Sequence, residues 1–132
     1  MAYAMNVGKL GENTVCDYLT DKGLSVLTRN FKRKLPYGKY GKYGEVDIIA
    51  KNGNILDFIE VKTRAIGSLS GMYAVDSRKQ NRIVEASRRY IDENTEIQYD
   101  EVRYSVVEVG TTSDGGQVVS LKYTENAFQA WN

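Results

Sequence analysis

Two apolar-rich runs, residues 45–50 (Glu-Val-Asp-Ile-Ile-Ala) and residues 55–62 (Ile-Leu-Asp-Phe-Ile-Glu-Val-Lys), are separated by Lys51, Asn52, Gly53 and Asn54. Asn-Gly between two such runs signals a hairpin, because a type I′ turn needs positive φ at both central residues. The pattern predicts Asn52 and Gly53 as the loop, with Lys51 opposite Asn54, Asp47 opposite Phe58 and Glu45 opposite Glu60. Opposed residues share a face, and side chains alternate with period two. Glu45, Asp47, Phe58, Glu60 and Lys62 are therefore expected on one face. Val46, Ile48, Ala50, Ile55, Ile59 and Val61 are expected on the other, interrupted by Asp57. In this register Asp47 and Glu60 are diagonal neighbours, roughly 7 to 8 Å apart at the backbone, within reach of one shared cation. A slip of one residue would send them to opposite faces.

What the chain lacks narrows the chemistry further. It has no histidine and a single cysteine, Cys16. A Ser-His-Asp triad, a Cys-His pair and a His or multi-Cys zinc site are excluded within the chain. Metal binding must rely on carboxylates and carbonyls, a donor set that favours Mg²⁺ or Mn²⁺. One thiol allows no internal disulfide, and no run approaches the ~20 apolar residues of a membrane span. A soluble, cytoplasmic protein with no membrane partner is the expectation. At 132 residues, 42% hydrophobic and 27% charged, the chain suits one domain, residues 1–132.

Apolar positions at helical spacing place a helix over residues 6–22, with Gly23 as its stop and Glu12 at the edge of the buried arc. A short strand is expected over residues 25–29. A second helix starts near Ser77, with Ser77 and Gln80 read as a capping box and Lys79 on the stripe that contains Ile83. A lysine in a first helical turn opposes the helix dipole and invites an anionic partner, although a snorkelling surface lysine is the commoner explanation. Strands over residues 101–109 and 117–123 follow, and residues 125–131 are read as a short closing helix whose Phe128 and Trp131 cover an end of the core. The expected order is α-β-β-β-α-β-β-α, a mixed sheet flanked by helices, of class α/β or α+β.

The net charge of +1 conceals a split. Residues 1–91 hold 16 basic and 9 acidic side chains, whereas residues 92–132 hold 2 and 8, or +7 against −6. Arg29, Lys32, Arg33, Lys34, Lys39 and Lys42 are interleaved with Tyr37 and Tyr40 and with no acid. This segment reads either as a solvated loop, a flexible excursion over residues 35–43, or as an arm that tracks a nucleic-acid backbone and stacks bases on its rings.

Asp47 and Glu60 on one sheet face can bind Mg²⁺, with the Val61 carbonyl completing the set and Glu12 contributing directly or through water. Lys62, on the same face, can position a nucleophilic water or help to deprotonate it. That is the equipment of metal-assisted phosphodiester hydrolysis. Glu-x-Lys alone reads more readily as a solvated salt-bridge ladder, the commoner use of charges on an antiparallel face.

Taken together, Gly8-x-x-Gly11-Glu12, Tyr18-Leu19, Gly23, Arg29-Asn30, Gly44-Glu45-Val46-Asp47, Glu60-Val61-Lys62-Thr63-Arg64, Lys79 and Ala86 form an ordered set. It resembles the YraN-type family of predicted endonucleases, related to archaeal-type Holliday junction resolvases and to the PD-(D/E)XK, restriction-endonuclease-like fold. The resemblance spans about residues 8–109. It implies a catalytic core of Asp47, Glu60 and Lys62, with Glu12 as acidic partner from the first helix and Glu45 as an accessory group. It makes Arg64, Lys79 and Arg82 candidates for gripping phosphates, beside Arg29, Lys32, Arg33, Lys39 and Lys42 of the basic segment. Two features depart from the pattern. The Tyr/Gly/Lys excursion is an addition, and Arg103-Tyr-Ser-Val-Val107 stands where relatives tend to show Arg-Phe-Asp-Val-Val.

The expectation is a Mg²⁺- or Mn²⁺-dependent endonuclease acting on DNA, with structured or branched DNA of repair or recombination as substrate. A homodimer would suit a two-fold junction. The competing expectation is a nucleic-acid-binding module of the same fold without turnover. A toxin or phage-related nuclease using the same site is a third.

Overall fold

A computed structural model describes residues 7–35, 43–66 and 75–130. Lys39, Lys42, Tyr37, Tyr40 and Trp131 lie outside the described residues. The elements are α1 (Val7–Asp21), β1 (Ser25–Lys34), β2 (Tyr43–Asn52), β3 (Ile55–Ala65), α2 (Ser77–Glu93), β4 (Glu101–Thr111) and β5 (Val118–Phe128). The sheet order is β1-β2-β3-β4-β5, antiparallel except for the parallel pair β3 and β4. A parallel pair needs a crossover, and the connection carrying α2 supplies it. No helix among the described residues is long and apolar enough to cross a membrane.

Successive residues in the middle of β2 and β3 feed two cores. Ile48, Ala50 and Ile59 pack with Val15 and Leu19 of α1, whereas Ile49 and Phe58 pack with Ile83, Val84 and Tyr90 of α2. Phe58 is fully buried, meets Tyr90 edge-on at 6.1 Å and stacks on Tyr104 at 5.7 Å between centroids. α1 ends as expected at Gly23, where the Leu24 amide reaches the Leu19 carbonyl (3.0 Å) and the Gly23 amide the Thr20 carbonyl (3.0 Å). This Schellman closure needs the left-handed φ of +95° that Gly23 adopts.

The hairpin forms one residue later than the Asn-Gly signal indicates. Asn52 pairs with Ile55, so Gly53 and Asn54 are the loop. Gly53 alone of the two has positive φ, +59°, which is the sign pattern of a type II′ turn. The Asn54 carbonyl accepts the amides of Asp100 (2.8 Å) and Glu101 (3.2 Å), so contact with the start of β4 holds the turn in this place. The register moves by two: Phe58 faces Ile49 rather than Asp47. A two-residue shift preserves parity, so Asp47 and Glu60 keep a common face and change from diagonal to direct neighbours. Glu45 is opposite Lys32 of β1, not Glu60.

A second departure lies in β1. Asn30 has φ +54°, between the pairs Arg29↔Ile48 and Phe31↔Val46. Arg29 reaches Glu12 and Asn13 of α1, yet Phe31, two residues on, packs edge-on against Tyr90 of α2 at 5.2 Å. The left-handed residue reverses the alternation, and the partner strand follows, so Val46 joins the α2 core instead of sharing a face with Ile48. The residue facing Asn30 in this register is Asp47.

Further expectations change: β1 runs over Ser25–Lys34 rather than residues 25–29, so Arg29, Lys32, Arg33 and Lys34 lie on a strand and not in a loop, and residues 36–42 of the expected excursion lie outside the described residues. The N-cap of α2 is Asp76, whose carboxylate accepts the Lys79 amide at 2.8 Å; Ser77 is the first helical residue, and Gln80 donates to the Val75 carbonyl. An aspartate is as good a cap as a serine and puts its charge at the positive helix end. Residues 125–128 continue β5 instead of starting a helix, with Asn126 (φ +54°) bending the strand so that Phe128 stacks on Tyr104 at 5.3 Å. Asp57 is buried, 2% exposed, and is satisfied there by the hydroxyls of Ser105 (2.7 Å) and Tyr123.

Candidate active site in the split between β2 and β3

The β2–β3 ladder runs from Asn52↔Ile55 to Ile48↔Ile59 and stops. From there β2 continues along β1 to Tyr43, while β3 continues along β4 to Ala65. The sheet therefore opens at its centre, and one further step of the register sets Asp47 beside Glu60. Where the ladder has ended, the Val61 amide donates to Asp47 Oδ2 at 2.8 Å. A cleft of about 720 Å³ occupies the opening, with Asp47, Glu60, Val61 and Lys62 in its lining.

Glu60 is 4% exposed, and its Oε2 is approached by two ammonium groups, Lys79 Nζ at 2.7 Å and Lys62 Nζ at 3.1 Å. They meet it as ion-pair partners rather than along hydrogen-bond directions. The two carboxyls divide the titration between them. Burial, a hydrogen bond with Glu60 and the Glu60 charge push the Asp47 pKa up to about 9, against the opposing pull of the Val61 amide. Glu60 lies below its ordinary range: burial raises its pKa, but the hydrogen bond from Asp47 and the ammonium groups of Lys79 and Lys62 outweigh that. Like charges this close cannot both ionise cheaply, so one proton stays with the pair.

Glu12 enters the cleft from α1, where its carboxylate lies 3.6 Å from Arg29. α1 comes this close because Gly11 has no side chain: a Cβ there would sit 2.1 Å from Thr63 Oγ1 of β3. On the opposite side Lys79 and Arg82 of α2 line the cleft, and Gly44 lets α2 approach, since a Cβ would meet the Arg82 carbonyl at 2.8 Å. Arg82 Nε is buried and has no hydrogen-bond partner among the described residues. Glu45 and Lys32 stand on the rim. Among the described residues, no group of three or more His, Cys, Asp or Glu is arranged to hold a metal ion, so Glu12 and Glu45 border the Asp47–Glu60 pair without joining it.

The other basic candidates lie elsewhere. Arg33 forms a two-pronged pair with Glu93 (2.7 and 3.0 Å), and Arg29 donates to Asn13 at 2.7 Å. Arg64 lies 3.4 Å from Glu108 in a separate groove with Ser120 and Lys122. Tyr43, which lines the cleft beneath Lys32, was not singled out by the sequence reading. The signal was present in the alternation of Tyr43, Glu45 and Asp47 along one strand.

A five-stranded mixed sheet with a helix on either face, parted over a carboxylate pair and two lysines, is consistent with a restriction-endonuclease-like fold. The chain belongs to the uncharacterised protein family UPF0102, whose sequence profile matches residues 11–109. It is 36% identical over 123 residues to a UPF0102 protein of Dictyoglomus turgidum, covering 92% of this chain and 96% of the relative. A UPF0102 protein of Clostridium botulinum strain 657 is 37% identical over 126 residues, 94% of each chain.

Proposed function

We propose that the chain is a cytoplasmic, Mg²⁺- or Mn²⁺-dependent endonuclease that hydrolyses DNA phosphodiester bonds, with structured or branched DNA as its substrate. The observation that carries this reading is the close carboxylate pair, Asp47 and the buried Glu60, in a cleft shared with Lys62 and Lys79. A salt-bridge ladder on a solvated face would expose its acids; here burial holds a proton on Asp47 in conflict with its neighbour. A bound divalent cation would relieve that conflict, and the all-oxygen donor set fits Mg²⁺ or Mn²⁺, which keep several waters and need few protein ligands.

Asp47 and Glu60 would hold the ion, which supplies an acidified water and charge neutralisation for the phosphate. Lys62, 3.1 Å from Glu60, is placed to orient the attacking water and to hold or receive its proton. Lys79 and Arg82 on α2 and Lys32 on β1 offer charge to the flanking phosphates.

The test is incubation with single-stranded, duplex and four-way-junction DNA in Mg²⁺ or Mn²⁺, alongside Asp47→Ala and Lys62→Ala. Metal-dependent cleavage lost in both variants is the expected result. Salt-sensitive binding without cleavage in either metal would overturn it in favour of a DNA-binding module.

A further inference from the structure

Two ammonium groups share one buried oxygen. Lys79 Nζ lies 2.7 Å and Lys62 Nζ 3.1 Å from Glu60 Oε2, which they hold by charge rather than by directed hydrogen bonds. An attraction without direction is one that another cation can replace. The two lysines are not equally fixed. Lys62 comes from β3, two residues beyond Glu60, and its side chain is 12% exposed, whereas Lys79 reaches in from the first turn of α2 and is 35% exposed. The first turn of a helix is an unfavourable place for a positive charge, so it is Glu60 that draws the Lys79 ammonium into the cleft. The Lys79 amide is tied to the Asp76 cap at 2.8 Å, but the flexible four-carbon stem lets the ammonium leave while the backbone stays. A divalent cation added at Glu60 would face both like charges, and a buried Glu60 stripped of Lys79 would lose a counter-charge. Neither change is favourable alone.

From this geometry we infer that Lys79 is a built-in counter-ion that holds the cation's place on Glu60 until a DNA phosphate draws it away, so that DNA and the divalent ion strengthen each other's binding. The inference rests on the proposal that the cleft binds DNA and a metal ion, and it adds how the two are linked. A phosphate supplies the anion that a displaced Lys79 needs, and the metal supplies the cation that Glu60 then needs. Linkage makes the two effects equal: the factor by which DNA raises metal affinity is the factor by which the metal raises DNA affinity. The protein without DNA therefore takes up the ion poorly, and the hydrolytic centre is completed on its substrate.

The probe is Mn²⁺, titrated on ice into the full chain with and without a four-way-junction DNA. Free Mn²⁺ is read by its electron paramagnetic resonance signal before product accumulates, with DNA-only blanks subtracted, and junction binding by anisotropy of a labelled strand. Wild type should bind Mn²⁺ about tenfold more tightly with the junction present, and the junction about tenfold more tightly with Mn²⁺. Lys79→Gln should bind Mn²⁺ about tenfold more tightly than wild type without DNA, and the effect of DNA should shrink towards a factor of one. Lys79→Arg, which keeps the charge, should retain the wild-type coupling. Thermal scans without DNA give an independent reading, in which Mn²⁺ should raise the melting temperature of Lys79→Gln more than that of wild type. Lys79→Gln with wild-type Mn²⁺ affinity, or with the effect of DNA undiminished, would overturn the counter-ion, because a phosphate that merely ligates the ion couples the two in either chain. Metal-dependent cleavage alongside such a result would leave the nucleolytic reading intact. No Mn²⁺ binding in any chain, with or without DNA, would overturn both.

Discussion

Asp47 and Glu60 are adjacent in the opening between β2 and β3, and their shared surroundings leave one proton on Asp47 to a pH of about 9. The ordinary Asp47 value is 3.8. Between those limits the folded chain binds more protons than the unfolded one, so stability falls as pH rises through the window. The lowered Glu60 pKa acts in the opposite sense, and its contribution is lost as pH falls through acid values. The melting temperature of the metal-free protein should decline between about pH 5 and pH 9. Asp47→Asn should flatten that decline, and Mn²⁺ should raise the wild-type melting temperature most at the alkaline end while leaving Asp47→Asn unchanged. Thermal scans across pH with and without Mn²⁺ make the comparison. Identical profiles for wild type and Asp47→Asn would remove the coupled pair.

Lys62 and Lys79 touch the same Glu60 oxygen from different elements, and their variants should separate. Lys62→Ala is expected to slow single-turnover cleavage by about 100-fold or more with DNA affinity nearly unchanged, the mark of a group acting on the proton transfer. Lys79→Ala is expected to weaken binding and to lower the salt slope by about one, the mark of a phosphate contact. Indistinguishable rate and binding losses would contradict the division.

Gly11 of α1 and Thr63 of β3 define how near Glu12 comes to the cleft. Gly11→Ala should cost about 1 to 3 kcal/mol, because its methyl group would land on the Thr63 hydroxyl. Thr63→Ala removes that oxygen, so the double variant should regain most of the loss. Urea unfolding of the two singles and the double gives the coupling directly. Additive losses would mean that the two residues do not meet.

Asp57, buried on β3 with the hydroxyls of Ser105 and Tyr123, is an acid of another kind. Burial raises its pKa, while the two hydroxyl donors hold the rise back. Asp57→Ala strands both donors and should destabilise the chain by about 2 kcal/mol in urea. At temperatures where the variant is folded, cleavage should proceed at the wild-type rate. A selective loss of cleavage with stability preserved would place Asp57 in the chemistry after all.

Local signals carried much of this architecture. The helix stop at Gly23, the hairpin and the common face of Asp47, Glu60 and Lys62 follow from short-range rules of turn chemistry and alternation. The turn moved by one residue because Asn54 is claimed by Asp100 and Glu101, a contact no local window contains. The shared face survived because the strands slid by two. Other features depend on long-range packing. The reversal at Asn30 sends Val46 toward α2, and the contact of Lys79 with Glu60 exists only once the crossover has laid α2 over β2. Arg64 shows the limit of reading by proximity in sequence: four residues beyond Glu60, it faces a different groove.

The parallel pairing of β3 with β4 also has a temporal consequence during synthesis. Every cleft residue named above has been translated by Arg82, yet the strand that supports β3 begins at Glu101. A growing chain thus carries its acids and lysines before it has the support that brings them together. On the proposed nucleolytic reading, competence would arrive late, with the closing strands, and chain fragments ending earlier should be inert.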